Sequence, residues 1–385
     1  MKSIIIKYKR IIAEKIKFFL FYLFRIFPIN KNKIYFQNFN GKGYGDNPKY
    51  IAEEIIRRGL NLKLIWAVKS GFNNNFPDII KTVKIYSIRA IYESVTSKIW
   101  IDNCRKQSNV RKRKGQFYIQ TWHGIGPKKS EKDYEQYLSV KYLERAKNDS
   151  NITNLYLSDS AFASQLYRLS FWYNGEILEC GFPRNDIFVN QDDNIKTKVK
   201  NHFNISGNTK IILYAPTFRD NLSIDMYNID YNFIISRLKE KTQENWIFLI
   251  RLHPNVSKMS EEISYNDNIF NASNYDDMQE LLLATDMLIT DYSSSIYEFS
   301  IMKKPVFLYV YDYVDYTNKR ELFFDLYTLP YPVAVTSDEL LQKILNFEEV
   351  SYLKALDCFM RKLGFFKFGQ ASESVVNRIL EEIIN

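Results

Sequence analysis

Short apolar segments alternate with helix-patterned stretches along almost the whole chain, and that rhythm constrains the fold more than any other feature. Ile34 to Asn38, Leu62 to Val68, Ser97 to Asp102, Gln116 to Trp122 and Asn154 to Ser158 read as strands, with helices at Pro48 to Arg58 and from about Ser160. Near-continuous apolar strands are buried on both faces, and the intervening helices supply the cover. An α/β fold with parallel sheets is therefore expected. The sequence turns polar from Pro183 to Asn208 and the rhythm then restarts. Lys210 to Thr217, Trp246 to Leu252, Met287 to Thr290 and Pro305 to Tyr311 read as strands, Met278 to Ala284 and Ser295 to Met302 as helices. This divides the chain into residues 1–30, a first α/β domain over 31–205 and a second over 206–385, with the last helix a candidate to cross back to the first domain.

At 385 residues, 46% of them hydrophobic, the chain is long enough for two cores. Its cysteines (Cys104, Cys180, Cys358) are far apart and odd in number. They suggest neither a disulfide framework nor a zinc site. The formal charge of +9 is concentrated at one end, because residues 1 to 33 carry nine Lys and Arg against Glu14 alone. A nearly neutral body argues against nucleic acid as partner and turns attention to what the terminal segment attracts.

That segment repeats apolar residues at helical spacing: Ile4, Tyr8, Ile12, Ile16, Phe19, Leu23 and Phe27. Lys7, Arg10, Lys17 and Arg25 fall on the other side. The uninterrupted apolar run from Phe18 to Phe24 is far shorter than the ~20 residues of a membrane-spanning helix. A basic amphipathic helix ending near Pro28 and lying on an anionic membrane surface is expected, with an ordinary packed helix as the alternative. The run Arg111 to Lys114 is a second basic segment, equally readable as a solvated loop.

In open α/β sheets ligands bind beyond the carboxyl ends of strands, so residues just after strands carry the most weight. His123, in Thr121-Trp122-His123-Gly124, and His253, in Arg251-Leu252-His253-Pro254, sit there, one in each domain, whereas His202 lies in the polar boundary region as a surface residue. A histidine so placed suits a general base, and equally a structural bond to a loop carbonyl. Thr290 to Ser295 joins a strand to a helix and offers backbone N–H groups to phosphate. Ser295 with Glu298 alternatively forms a capping box. Arg219 follows the strand ending at Tyr214 and is able to pair with phosphate or with a carboxylate. There is no GxGxxG after a strand, no Walker A, no GxSxG and no aspartate pair two apart, so no metal ligand set or cofactor is expected.

Taken in order, GYGDNPKY (Gly43 to Tyr50), SKIWIDN (Ser97 to Asn103), QTWHG (Gln120 to Gly124), CGFPRND (Cys180 to Asp186), YAPTFR (Tyr214 to Arg219), RLHP (Arg251 to Pro254), TDYSS (Thr290 to Ser294) and GQAS (Gly369 to Ser372) resemble the CDP-glycerol glycerophosphotransferase family. This family comprises the teichoic acid primases and polymerases and related capsule polymerases. The resemblance implies a GT-B architecture, two Rossmann-like domains facing across a cleft, and transfer of a polyol phosphate from a CDP-polyol, most simply CDP-glycerol, to an acceptor hydroxyl with release of CMP. It places a general base at His123 and a donor-phosphate contact at His253. The remaining donor-binding residues are Thr217, Arg219, Arg251, Asp291, Ser293 and Ser294, with Glu298 at the ribose. Acceptor contacts fall at Gly124, Lys128 and Lys129. A lipid-linked or oligomeric acceptor and attachment to the cytoplasmic face of the membrane go with it. Ile125-Gly126-Pro127 departs from the Thr-Pro-Leu-like stretch usual in the family, and Tyr297-Glu298 departs from its Phe-acid pair. CDP-ribitol as donor, a sugar-nucleotide glycosyltransferase and a catalytically idle membrane scaffold are the competing readings.

Overall fold

Apolar residues at successive positions bury the central strands on both faces, and the strands pair in parallel throughout. The computed structural model describes residues 15–72, 75–190, 192–219, 225–253 and 256–384. The chain divides into two units, one built from Met1–His123, Ser130–Asp186 and Phe365–Asn385, the other from Gly124–Lys129 and Ile187–Gly364. The crossing after Asp186 comes ahead of the 205–206 boundary expected from composition. Helix Asp193–His202 packs on helix Met278–Ala284, and Lys198 pairs with Glu280 at 2.7 Å. Over Asp193–His202 the polar stretch is thus the outer face of a docked helix.

The first unit holds β1 (Asn30–Gln37), β2 (Lys63–Val68), β3 (Lys81–Lys84), β4 (Ser97–Asp102), β5 (Phe117–Gln120), β6 (Leu155–Ser158) and β7 (Glu176–Glu179) in the order β3-β2-β1-β4-β5-β6-β7. Strand order reverses between β1 and β4, a switch point of the kind where doubly wound sheets bind ligands. Ile34 and Phe36 lie beside Ile99 and Ile101 and bury one face against Ile51 and Ile55, while Tyr35 beside Trp100 faces the opposite layer. Ser160 caps helix Ala161–Ser170 by accepting from Ala163 N at 3.2 Å, in line with the helix start read near Ser160. The last helix, Ala371–Ile384, adds Val375, Val376 and Ile379 to the first face. The Asp186 carboxylate caps it, accepting from Ala371 N at 3.0 Å and Ser372 N at 2.8 Å.

The second unit holds β8 (Lys210–Tyr214), β9 (Trp246–Ile250), β10 (Ile269–Asn271), β11 (Met287–Thr290), β12 (Val306–Tyr309) and β13 (Val333–Ala334), ordered β10-β9-β8-β11-β12-β13. The three central strands β9, β8 and β11 end side by side.

Residues 15–23 are helical and a short 3-10 turn, Phe24–Ile26, follows. Phe21 is buried against Ile91 and Val95, with Leu20 and Phe24 beside it. Ile16, Phe19, Leu23 and Phe27, on the expected apolar face, are 52%, 61%, 41% and 40% exposed. The structure thus packs a side of this helix other than the one the apolar spacing singles out. Residues 1–14, with Ile4, Tyr8 and Ile12, lie outside the described residues. Among the described residues no helix is long and apolar enough to cross a membrane.

Candidate active site

In the first unit, β5 delivers Thr121, Trp122 and His123 at the carboxyl end of the sheet. Trp122 sits at φ 52°, a conformation costing about 1–3 kcal/mol for a bulky residue, and Gly124 at φ 97°, where only glycine is at ease. Several bonds hold the strained turn. Trp122 N donates to Gln120 Oε1 at 3.0 Å, and Asn47 Nδ2 donates to the Trp122 carbonyl at 3.1 Å. Arg105 lies over the Trp122 ring, its own charge met by Glu131 at 2.8 Å and Asp149 at 3.4 Å.

His123 stacks on Trp122 with ring centroids 4.6 Å apart and meets the edge of Phe39 at 5.5 Å. Its Nδ1 is 2.6 Å from the Asn103 carbonyl oxygen. A carbonyl only accepts, so Nδ1 carries the proton and Nε2 is left with its lone pair. Burial pushes the imidazole pKa below 6.5, with the Asn103 bond pulling the other way. The ring is therefore neutral at pH 7, with its basic nitrogen defined by a neighbour. Asn103 is fixed in turn, Nδ2 donating to Asn38 Oδ1 at 2.7 Å and Oδ1 accepting from Phe39 N at 2.8 Å.

Three further residues join this site that the sequence reading did not assign to it. Arg184 donates through Nη2 to the His123 carbonyl at 2.8 Å and forms a buried ion pair with Asp46. Asn47 Oδ1 accepts from Arg184 N at 3.1 Å. Asp46 adopts φ 57° at the start of helix Asp46–Arg57. The available signal was the presence of Asp46, Asn47 and Arg184 inside the GYGDNPKY and CGFPRND motifs.

The segment after His123 belongs to the second unit. Lys129 N donates to the Glu321 carbonyl at 2.9 Å, its Nζ pairs with the Glu321 carboxylate at 2.6 Å, and Lys128 bridges Leu322. Gly126 lies so close to the Ser293-Ser294 loop that a Cβ there would come within 3.2 Å of Ser294 N. A side chain in the place of Gly126 would displace the serine loop.

The other expected residues cluster after β8, β9 and β11. Asp291 is buried and accepts from Thr217 N at 2.9 Å, Thr217 Oγ1 at 3.1 Å, Arg219 Nη1 at 2.9 Å and Tyr292 N at 2.6 Å. Arg219 is also bidentate to Asp312, at 2.5 and 2.9 Å, and lies over the rings of Tyr292 and Tyr316. Its charge is thus met by two carboxylates. Arg251, by contrast, donates among the described residues to carbonyls, those of Ala272 at 3.1 Å and Tyr275 at 2.7 Å, and burial pushes its pKa down against the opposing charges of Asp277 and Asp276. His253 packs on Phe218 with ring centroids 4.6 Å apart. The Ser295–Glu298 capping box is not formed. Ser295 is already the first helical residue, and the Glu298 carboxylate accepts from Gln279 Nε2 at 2.7 Å and Ser294 Oγ at 3.4 Å. His202 is exposed at the end of its helix, against Phe203 and Tyr275.

Residues 19–381 match the model of the family described as CDP-glycerol:poly(glycerophosphate) glycerophosphotransferase. The chain belongs to this family. Within the glycerophosphotransferases, a teichoic acid poly(glycerol phosphate) polymerase of Staphylococcus epidermidis is 30% identical over 369 residues, which are 92% of this chain and 51% of that one. A teichoic acid glycerol-phosphate transferase of Staphylococcus aureus is 30% identical over 367 residues, 91% of this chain and 94% of that one. The chain thus spans about half of the first relative and nearly all of the second. The solved structure of the wall teichoic acid polymerase TagF covers 98% of this chain and 97% of its own, with a TM-score of 0.84 and 27% identity. A variant of TagF soaked with CDPG matches with a TM-score of 0.83 and 28% identity, over 92% of this chain and 90% of that one. The two parallel sheets are accordingly those of a GT-B-like glycerophosphotransferase.

Proposed function

We propose that this chain transfers glycerol phosphate from CDP-glycerol to a hydroxyl of a lipid-linked or oligomeric acceptor, releasing CMP, in the synthesis of a teichoic-acid-like or capsular polymer. The observation that carries this reading is the His123 tautomer. With Nδ1–H held by the Asn103 carbonyl, Nε2 takes the acceptor's proton as its oxygen attacks the glycerol-bearing phosphorus. The P–O bond to CMP breaks and the electron pair leaves on the CMP phosphate. Such transfer is mostly positioning plus electrostatics. Asp46, Asn47, Asn103 and Arg184 position the base. Arg251, with no carboxylate in ion-pair contact among the described residues, His253 and the Ser293-Ser294 loop meet the donor phosphates. Thr217, Arg219 and Asp291 frame that loop, and Glu298, joined to Ser294, reaches the ribose. Gly124, Lys128 and Lys129 lead the acceptor toward His123. Charge is met by these side chains without a protein-held metal, and turnover in excess chelator checks this.

A panel of CDP-glycerol, CDP-ribitol and sugar nucleotides with a short acceptor, and mass detection of nucleotide and product, tests the reading. CMP with a product heavier by one glycerol phosphate is expected. A nucleoside diphosphate with a glycosylated product would replace the reading by glycosyl transfer.

The exposed face of residues 16–27 supports a place at the cytoplasmic face of the membrane. Ile16, Phe19, Leu23 and Ile26 (75% exposed) enter the headgroup boundary while Arg25 and the Arg111 to Lys114 run meet anionic lipid. The two basic segments are one surface: Arg113 donates to the Phe27 carbonyl at 2.7 Å and the Arg25 carbonyl at 3.2 Å.

A further inference from the structure

At the amino-terminal edge of the seven-stranded sheet, the end opposite His123, an open cavity of about 800 Å³ gathers Lys33 from β1, Lys63 from β2, Lys81 from β3, and Arg89, Tyr92 and Glu93 from helix Ile88–Thr96. Four cations share it with one carboxylate. Lys33 and Lys63 are register partners on adjacent strands, an arrangement in which like charges oppose pairing. Glu93 is fully used, accepting from the buried Lys33 Nζ at 2.8 Å and from Arg89. Lys63 and Lys81 are exposed and form no ion pair among the described residues. Burial lowers the Lys33 pKa; Glu93 opposes the shift, and the charges of Arg89 and Lys63 add to it. The surplus positive charge is therefore concentrated in a concave site, where an anion relieves it.

The cavity shares a wall with the apolar face. Tyr92, which lines it, takes Phe24 and Phe27 edge-on, at 5.7 and 5.3 Å between centroids. These are the last rings of the segment that leaves Leu23 and Ile26 exposed. Exposed apolar side chains of this kind suit acyl chains, and lysines bordering such a face suit lipid phosphates.

We propose that this cavity binds the phosphate-bearing headgroup of an anionic phospholipid. The proposal rests on the membrane reading above and adds to it a defined, saturable lipid site on the face remote from the chemistry. Lys63 and Lys81 supply the discriminating charges, Arg89 the planar donor for phosphate oxygens, and Tyr92 the flank.

The test uses the full chain and monomeric dihexanoyl phosphatidylglycerol, followed by calorimetry. Saturable binding is expected, weakened at least tenfold by Lys63→Glu/Lys81→Glu and at least tenfold weaker for dihexanoyl phosphatidylcholine. Both substitutions are at exposed positions outside the catalytic machinery, and unchanged affinity for CDP-glycerol confirms that fold and donor site are intact. Equal affinity in the variant, equal affinity for the zwitterionic lipid, or no binding by the unaltered chain overturns the proposal. Glycerol 3-phosphate binding as tightly as the lipid also overturns it, in favour of a soluble phosphate ester. Vesicle flotation separates the two readings. Lipid binding without flotation removes the membrane reading and leaves the site standing, whereas flotation without lipid binding removes the site alone.

Discussion

Asp46→Ala is the sharpest perturbation of the base-bearing turn. The Asp46 and Arg184 side chains are each 5% exposed, so removing the carboxylate takes the ion-pair partner from a buried guanidinium that also holds the His123 carbonyl. Breaking a buried pair in this way costs about 3–5 kcal/mol, a large part of the ~5–15 kcal/mol that holds a domain. Backbone strain does not offset it, because alanine is no easier than aspartate at φ 57°. Truncating the partner as well removes the orphaned charge, so Asp46→Ala/Arg184→Met should cost less than the two single changes together, with a coupling of order 2 kcal/mol. Catalysis should suffer separately, since the same guanidinium fixes the His123 carbonyl and a 1 Å misplacement of a reacting group costs about 10²-fold in rate. Urea unfolding followed by tryptophan fluorescence is selective here, because four of the five tryptophans lie in the first unit and only Trp246 in the second. The kcat with CDP-glycerol and a short acceptor, and donor affinity by calorimetry, complete the assay. Additive single and double costs, or a variant with kcat within threefold of the unaltered chain, would refute the reasoning.

His123→Ala should lower kcat by ~10²–10⁴-fold with donor affinity unchanged. In the unaltered chain kcat/KM should rise with pH through an inflection below 6.5 and stay level above it, because burial depresses the pKa and only neutral imidazole accepts the proton. The stability linked to this group has the same sign: below 6.5 the unfolded chain takes the proton first, so stability falls as pH falls. Rates and urea midpoints across pH 5–8 check both, and an inflection that persists in His123→Ala assigns it elsewhere. Arg251→Ala and His253→Ala should weaken CDP-glycerol binding at least tenfold with little change in unfolding midpoint. Arg219→Ala should instead destabilise by about 3–5 kcal/mol by stranding Asp291 and Asp312; calorimetry and urea unfolding of the three variants distinguish clamp from frame. Ile16→Asp/Phe19→Asp should abolish sedimentation with anionic vesicles and leave turnover on a soluble acceptor intact, and equal sedimentation would place attachment elsewhere.

The apolar runs by themselves determined the parallel α/β architecture, because central strand segments such as Ile34 to Phe36 and Trp246 to Ile250 are buried on both faces and must be apolar throughout. The edge strands were not legible. Lys81–Lys84 and Glu176–Glu179 each have one neighbour and water beyond, so their composition is that of a loop. Strand ends singled out His123 and His253 for the same topological reason. Which nitrogen of His123 is basic was decided by Asn103, and what holds its turn by Arg184 and Asp46, which are 138 residues apart. Arg219 shows the limit from the other side: the residue type suits phosphate, but Asp312, 93 residues away, already takes the guanidinium. The terminal segment is apolar on more than one side, so helical periodicity alone does not select which side packs. Ile91 and Val95 made that choice by taking Phe21, leaving Ile16 and Phe19 outside. The lysines of β1, β2 and β3 likewise do not stand out in the sequence, and only the pairing of three strands brings their charges into one cavity.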